Sequence, residues 1–293
     1  MTINRLVGLG SIVVDLVMHV DRLPDRAGDV LASSSVTRVG GGLNVLAAAT
    51  AAGLPTAYAG GHGTGPFGDL VRARLVGLGI PALLAPSAIA DTGFCVVLVD
   101  DTGERTFVTT VGAEGRLTAE QVAGPDVTDD DAVYVSGYDL AYPHAEVVAD
   151  LVTELPREAL VVLDPGPLVA DIDPDLLAGV LARTRWLSLN AREAALWTGL
   201  DNPAAALDAV LATAPDECGV VLRTGPEGAV VASRGRDPVT VPGVPVERVT
   251  DTTGAGDVHV GAFVAALAAG LEPVTAVRQA NAAAAAAVSK RAP

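Results

Sequence analysis

The chain opens on a nearly unbroken apolar run, Arg5–Leu16, which predicts one buried strand ending in a polar turn. Arg22–Gly28 is rich in Pro, Gly and Asp and predicts a loop. Val30–Val39 alternates apolar with small polar residues and predicts a second strand. Gly40–Gly42 breaks the chain, and Asn44–Gly53 follows as an alanine-rich helix stopped by Gly53 and Pro55. Thr56–Gly60 predicts a short strand. Asp69–Gly79 carries Leu70, Ala73, Leu75 and Leu78 at helical spacing before a glycine stop. Phe94–Val99 and Arg105–Thr110 are β-rich and flank a polar turn, Asp100–Glu104, which predicts a hairpin.

After Gly115 the pattern changes to alternating strands and helices. Ala132–Val135, Leu160–Leu163, Trp186–Leu189, Val220–Arg223 and Ala229–Ala232 read as strands. His144–Leu155, Pro174–Ala182, Glu193–Thr198 and Ala204–Ala214 read as helices, as do Val258–Ala269 and the low-complexity stretch Ala282–Ala287. Apolar strands alternating with helices predict an α/β fold, a mainly parallel central sheet covered on both faces. The β-rich pieces 15–38 and 92–112 do not fit that alternation. They predict a small separate β-sheet, inserted as a lid in a single domain spanning 1–293.

Composition narrows the function. A net charge of −16 with no basic cluster excludes a nucleic-acid binder. No apolar run reaches the roughly 18 to 20 residues of a membrane span, and Met1–Asp15 is too polar and broken for a signal peptide. Cys95 and Cys218 form no metal or disulfide pattern and read as buried thiols of a reducing cytoplasm. Lys290 is the only lysine and lacks the GK[ST] context of a Walker-A loop. Any phosphate chemistry must therefore rest on backbone amides, arginine and metal.

The sharpest chemical signal is Asp251-Thr252-Thr253-Gly254-Ala255-Gly256-Asp257 ahead of a helix. Two glycines permit a tight turn, and the helix N-terminus then presents free N–H groups to an anion. Asp257 in the first turn could accept a proton from an attacking hydroxyl. It could equally be a plain capping aspartate. Gly63-Thr64-Gly65-Pro66-Phe67-Gly68 matches GxGxxG, with Asp91 beyond it, and offers a dinucleotide-binding alternative. Pro66 removes an N–H from the loop that should wrap a pyrophosphate, and the motif follows at least the third strand; both argue for a loop bordering a cleft instead.

DTTGAGD at 251–257 resembles the C-terminal signature of the ribokinase family, the PfkB carbohydrate kinases. Five further segments resemble that family in its order. Gly40-Gly41-Gly42-Leu43-Asn44 resembles the di-glycine signature, Gly10–Asp15 the first strand and its sugar-binding aspartate, Asn190-Ala191-Arg192-Glu193 the NxxE motif, and Gly225-Pro226-Glu227-Gly228 the GxxG nucleotide loop. Asn281, 24 residues after Asp257, falls near an adenine-pocket position. Together these cover nearly the whole chain.

The resemblance implies a ribokinase-like fold and ATP-dependent phosphorylation of a sugar hydroxyl, with Asp257 as general base and the amides of Gly254, Ala255 and Gly256 as an anion hole. Asp15, Gly41, Gly42 and Asn44 would contact the acceptor, with Glu114 as a further contact. Asn190, Thr224, Gly225, Gly228 and Asn281 would bind ATP. Glu193 would hold Mg²⁺ through water, and Asp251 with Thr253 would hold a monovalent cation such as K⁺. The alternatives are a nucleoside kinase of the same fold, ribonucleoside or pseudouridine-type, or a non-catalytic sugar- or nucleotide-binding protein. Exposed lid edges imply a homodimer. Arg223 stands where a threonine is common, and His259 where a phenylalanine is common; His259 is read as packing. Arg38 and Arg105 could clamp a phosphorylated acceptor, but both are read as solvated strand charges, which favours an unphosphorylated sugar, with nucleosides next.

Overall fold

The computed structural model describes residues 2–289; Lys290 lies outside them. The larger sheet contains β1 (Arg5–Gly8), β4 (Thr56–Tyr58), β7 (Asp131–Ser136), β8 (Leu160–Asp164), β9 (Thr184–Asn190), β10 (Gly219–Arg223), β11 (Gly228–Ser233) and β12 (Val239–Pro242). Its strand order is β12-β11-β10-β9-β8-β7-β1-β4. Every pair from β4 to β10 is parallel, and β11 and β12 add antiparallel at one edge. The remaining strands, β2 (Ile12–His19), β3 (Ser34–Gly41), β5 (Phe94–Val99) and β6 (Arg105–Thr110), form a separate sheet in the order β3-β2-β5-β6.

The helices in chain order are α1 (Gly42–Ala51), α2 (Pro66–Leu78), α3 (Ala119–Val122), α4 (Gly137–Ala141), α5 (Ala145–Glu154), α6 (Pro174–Arg183), α7 (Ala191–Thr198), α8 (Pro203–Thr213), α9 (Ala255–Ala268) and α10 (Pro273–Ser289). Residues of β7 and β8 are buried throughout, as a parallel sheet sandwiched between helices requires. One apolar core lies under α1, α2, α9 and α10 (Leu46, Val71, Phe263 and Val277 among its members). A second lies under α5, α6, α7 and α8, with Val152, Val180, Ala194 and Val210. No helix among the described residues is long and apolar enough to cross a membrane.

The opening run is not one strand. It breaks at Leu9–Ser11, so β1 enters the large sheet and β2 enters the small one. The side chains are apolar on both sides of that break, so hydrophobicity alone carries no mark of the change of sheet. The small sheet otherwise keeps the expected pieces, the first extended to Ile12 and Gly41, but the strand expected at Val30–Val39 begins only at Ser34. β12 escaped the sequence reading because Pro238 precedes it and Pro242 ends it, which suits an edge strand and obscures a strand pattern.

The GxGxxG segment folds as a loop running into α2, with Pro66 at its first position. Asp91, the residue that would hold a ribose in a dinucleotide site, instead accepts from the amides of Phe67 (3.0 Å) and Gly68 (2.8 Å). Asp91 caps the first turn of α2, and these amides hold the carboxylate below its usual range although burial opposes this. The loop that should greet a pyrophosphate is thus closed by an internal carboxylate.

Candidate active site

The candidate residues gather at the C-terminal ends of the parallel strands, where open α/β sheets place ligands. Asp164 ends β8, Asn190 ends β9 and Arg223 ends β10. From the other side, α9 points its N-terminus into the same cleft. Gly254 caps it in the left-handed region, φ 72°, which only glycine adopts at little cost. Of the three amides expected to bind an anion, that of Ala255 donates to Thr252 O at 3.2 Å. Those of Gly254 and Gly256 find no partner among the described residues.

Asp257 sits in the first turn of α9, and its Oδ2 accepts from Asn44 Nδ2 at 3.0 Å. Asn44 is available because α1 and α9 pack side by side through Val45, Ala49, Val260 and Val264. Burial pushes the Asp257 carboxyl up to about 7. The Asn44 bond and Arg223 pull against this, while Asp164 and Glu193 add to it. The residue as a whole is part-buried. An alanine at Gly254 would be forced into a positive φ, and its Cβ would lie 2.9 Å from Asn44 Nδ2. Gly254→Ala is therefore expected to cost about 1–2 kcal/mol of stability and about tenfold in kcat, measured by thermal melting and steady-state turnover.

On the lid side, Asp15 faces the cleft across from Arg38, with Nε to Oδ2 at 3.9 Å. Burial raises its carboxyl and Arg38 opposes this. Gly41, φ 65°, ends β3 where a side chain would strike Ser11 O, which lets the lid strands cross closely over α1. Glu114 does not belong to this group. It is buried, and its two oxygens accept from Gly93 N (2.7 Å) and Gly112 N (2.8 Å). These bonds join the two ends of the β5–β6 hairpin.

On the opposite side a cavity of about 630 Å³ opens between the loop at 225–228, the segment 243–249 and α10. Asn190, Gly225, Gly228, Gly256 and Asn281 line it, and Val244, Val246, Val249 and Val288 give it an apolar wall. Thr224 is not in that lining; its amide closes the loop on Gly228 O at 2.9 Å. Asn281 donates to Val241 O and Pro242 O, which turns its Oδ1 toward His259 Nε2 at 3.0 Å. His259 is buried and lines this cavity. Burial, with Arg223 nearby, lowers its pKa to about 3, so the ring is neutral. It packs, buried, against Asn281 at the wall of this cavity.

Asn190 and Glu193 make a reciprocal capping box on α7. Asn190 Oδ1 accepts from Glu193 N at 2.8 Å, and Glu193 Oε2 accepts from Asn190 N at 2.7 Å. Burial and the nearby Asp164 raise the Glu193 carboxyl, and Arg223 opposes them. Arg223 is the centre of the site. Its Nη1 donates to Asp164 Oδ2 at 2.8 Å and Ser188 Oγ at 3.2 Å, and its Nη2 lies 3.3 Å from Glu193 Oε2. Sequence reasoning missed Asp164 and Ser188. The signal that could have found Asp164 is its place at the end of an apolar strand before Pro165-Gly166.

The two lid arginines are not free strand charges; they are partly buried and paired. Arg38 Nη1 donates to Asp251 Oδ2 at 3.0 Å, and Arg105 Nη2 to Asp251 Oδ1 at 2.7 Å. Arg105 also reaches Thr252 Oγ1 at 3.0 Å. Hydrogen bonds from Thr253 and Arg38 hold the Asp251 carboxyl down at about 2 against the opposing effect of burial.

The sequence matches the pfkB family carbohydrate kinases over residues 4–293. It is 32% identical over 281 residues to an uncharacterized sugar kinase, YegV, of Escherichia coli (strain K12), covering 94% of this chain and 85% of that protein. The fold is similar to Arabidopsis thaliana ribokinase complexed with ribose and ATP, with a TM-score of 0.76, 23% identity, and coverage of 99% and 94%. It is also similar to a Burkholderia thailandensis nucleoside kinase in complex with inosine, with a TM-score of 0.77, 20% identity, and coverage of 99% and 92%. A parallel sheet with a four-stranded lid, the 251–257 turn under that lid and the match across the whole chain lead to one assignment: the chain belongs to the pfkB family of carbohydrate kinases, with a ribokinase-like fold.

Proposed function

We propose that this carbohydrate kinase transfers the γ-phosphoryl group of ATP to a hydroxyl of an uncharged sugar, with Asp257 as general base. The observation that carries the reading is the position of Asp257. Its Oδ2 is held by Asn44 Nδ2 at 3.0 Å, and the two residues before it, Ala255 and Gly256, line the cavity shared with Asn190, Gly225, Gly228 and Asn281. A carboxyl near 7 takes a proton from a hydroxyl and releases it readily, which suits a base working near neutral pH. The turn at 254–256 and the α9 N-terminus would stabilise charge growing on the transferring group.

Glu193, buried next to Asn190 and Arg223 of the cavity wall, would hold the family's magnesium through water, since that ion keeps most of its hydration and needs few carboxylates; so bound it would neutralise phosphate charge. The lid arginines are matched by Asp15 and Asp251, so they leave little positive charge for an acceptor phosphate. That supports a neutral acceptor, an unphosphorylated sugar first and a nucleoside second. Phe107 and Val108 stand exposed on the edge strand β6, and we read this lid edge as the face of a homodimer. Free, buried Cys95 and Cys218 suit a reducing cytoplasm.

The test is ADP release from Mg·ATP across sugars, sugar phosphates and nucleosides. Release that depends on a neutral sugar is the expected result. Release only with a sugar phosphate would reject the neutral acceptor. ATP binding with no release for any acceptor would favour a non-catalytic binding protein.

A further inference from the structure

The resemblance assigns Asp251 and Thr253 to a monovalent cation, but the residues present do not fit one. Both Asp251 oxygens already accept charged hydrogen bonds, Oδ1 from Arg105 and Oδ2 from Arg38. Oδ1 also accepts from Thr253 N at 2.8 Å. A cation placed here would give up its water for a carboxylate that is already doubly matched, beside two guanidinium groups that repel it. The positive charge at this position is therefore built into the chain.

The origin of the two arginines matters as much as their charge. Arg38 is on β3 and Arg105 on β6, the two outermost strands of the lid. Three strand spacings separate these edges, about 14 Å. Two long side chains converge from opposite edges on one aspartate, which fixes the orientation of the sheet and not only its distance. Asp251 in turn closes on Thr253 N, and Gly254, the next residue, caps α9. The path from lid to anion-binding turn is thus three residues of backbone long.

We propose that Arg38 and Arg105 replace a monovalent cation at Asp251, and that by delivering this charge from the lid they tie the order of the 254–256 turn to lid closure. They act as positioning residues through Asp251, and the role in turnover rests on the kinase reading above. Two arms test it at constant ionic strength, with K⁺ exchanged for tetramethylammonium.

In the first arm, wild-type turnover with Mg·ATP and its accepted acceptor should change by less than about 1.5-fold between the two cations. Arg105→Ala should lose about 10- to 100-fold in kcat with its melting temperature little changed, and Arg105→Lys should recover part of the loss. Activation of the wild type by K⁺ of threefold or more overturns the proposal, as does full kcat in Arg105→Ala. In the second arm, the melting temperature of the wild type with Mg·ADP should be the same in either cation. A rise of several degrees specific to K⁺ overturns the proposal even in a protein that turns over no acceptor. Failure of turnover with all acceptors, beside flat melting, counts against the kinase reading and leaves the cation replacement supported.

Discussion

Asp257→Asn is expected to lower kcat by about 10³- to 10⁴-fold, the scale of a lost general base, while ATP binding measured by calorimetry changes little. The substitution keeps the size of the side chain and one oxygen to accept from Asn44, so the loss would report proton transfer and not collapse of the turn. In the wild type, kcat should rise with pH through about 7, since only the ionised carboxylate accepts a proton. The same residue carries a stability signature of the opposite sense. Its folded pKa is raised, so the folded protein binds that proton more tightly than the unfolded chain. The stabilisation is present below the unfolded carboxylate range and is lost as pH rises toward and through about 7. A shift of this size sets an upper limit of ~4 kcal/mol, and solvent in the cleft reduces the effect to about 2 kcal/mol. Asn at this position has no charge to desolvate. Asp257→Asn should therefore melt higher than the wild type at pH 8 and nearly level with it at pH 4. Wild-type turnover in the variant would remove Asp257 as the base, and equal melting at pH 8 would show that its carboxylate is not costly.

Where hydrophobic pattern decides structure, the sequence was readable to within a few residues. Phe94–Val99 and Arg105–Thr110 have the expected limits, and β7 to β11 differ from expectation by one or two residues at their ends. Pattern failed where a residue's role depends on what lies across the fold. Val13, Val14 and Leu16 look the same whether they extend one sheet or start another, so the switch after Gly8 was invisible. Arg38 and Arg105 look like ordinary strand charges until the fold brings Asp251, more than 140 residues away from either, beneath both strands. Glu114 follows a lid strand, and the two backbone amides that its carboxylate accepts from lie 21 and 2 residues away, a tie visible only in the fold. By contrast the Asn190–Glu193 box is local, and its spacing announced the capping bonds that form. Asp257 lies between these cases. Its helix-terminal position was legible from the glycines before it, but its raised pKa comes from burial beside Asp164 and Glu193, which no local pattern reveals.

Arg223→Met should be the most destabilising single change in the site. Asp164 and Glu193 are each 7% exposed, and Arg223 is the cation that both touch. Removing it leaves two buried carboxylates facing each other without compensation, at a cost of about 3–5 kcal/mol. Melting should fall by roughly 6–15 °C for a chain of this size. Burial alone would lower the arginine's own pKa, but the two carboxylates outweigh it and hold the guanidinium charged. The functional effect follows from the same charge. Arg223 opposes the rise in the Asp257 pKa, and Asp164 and Glu193 promote it. Without the arginine, the midpoint of the kcat–pH profile should move above about 7, and turnover at neutral pH should fall further than the loss of folded protein explains. Arg223→Lys separates the two effects. A lysine keeps the charge but lacks the planar fork that bridges two carboxylates. It should lose part of the stability while leaving the pH midpoint near that of the wild type. If Arg223→Met moved the midpoint no more than Arg223→Lys does, charge at residue 223 would not be setting the affinity of Asp257 for its proton, and the arginine would be a brace for the strand ends alone.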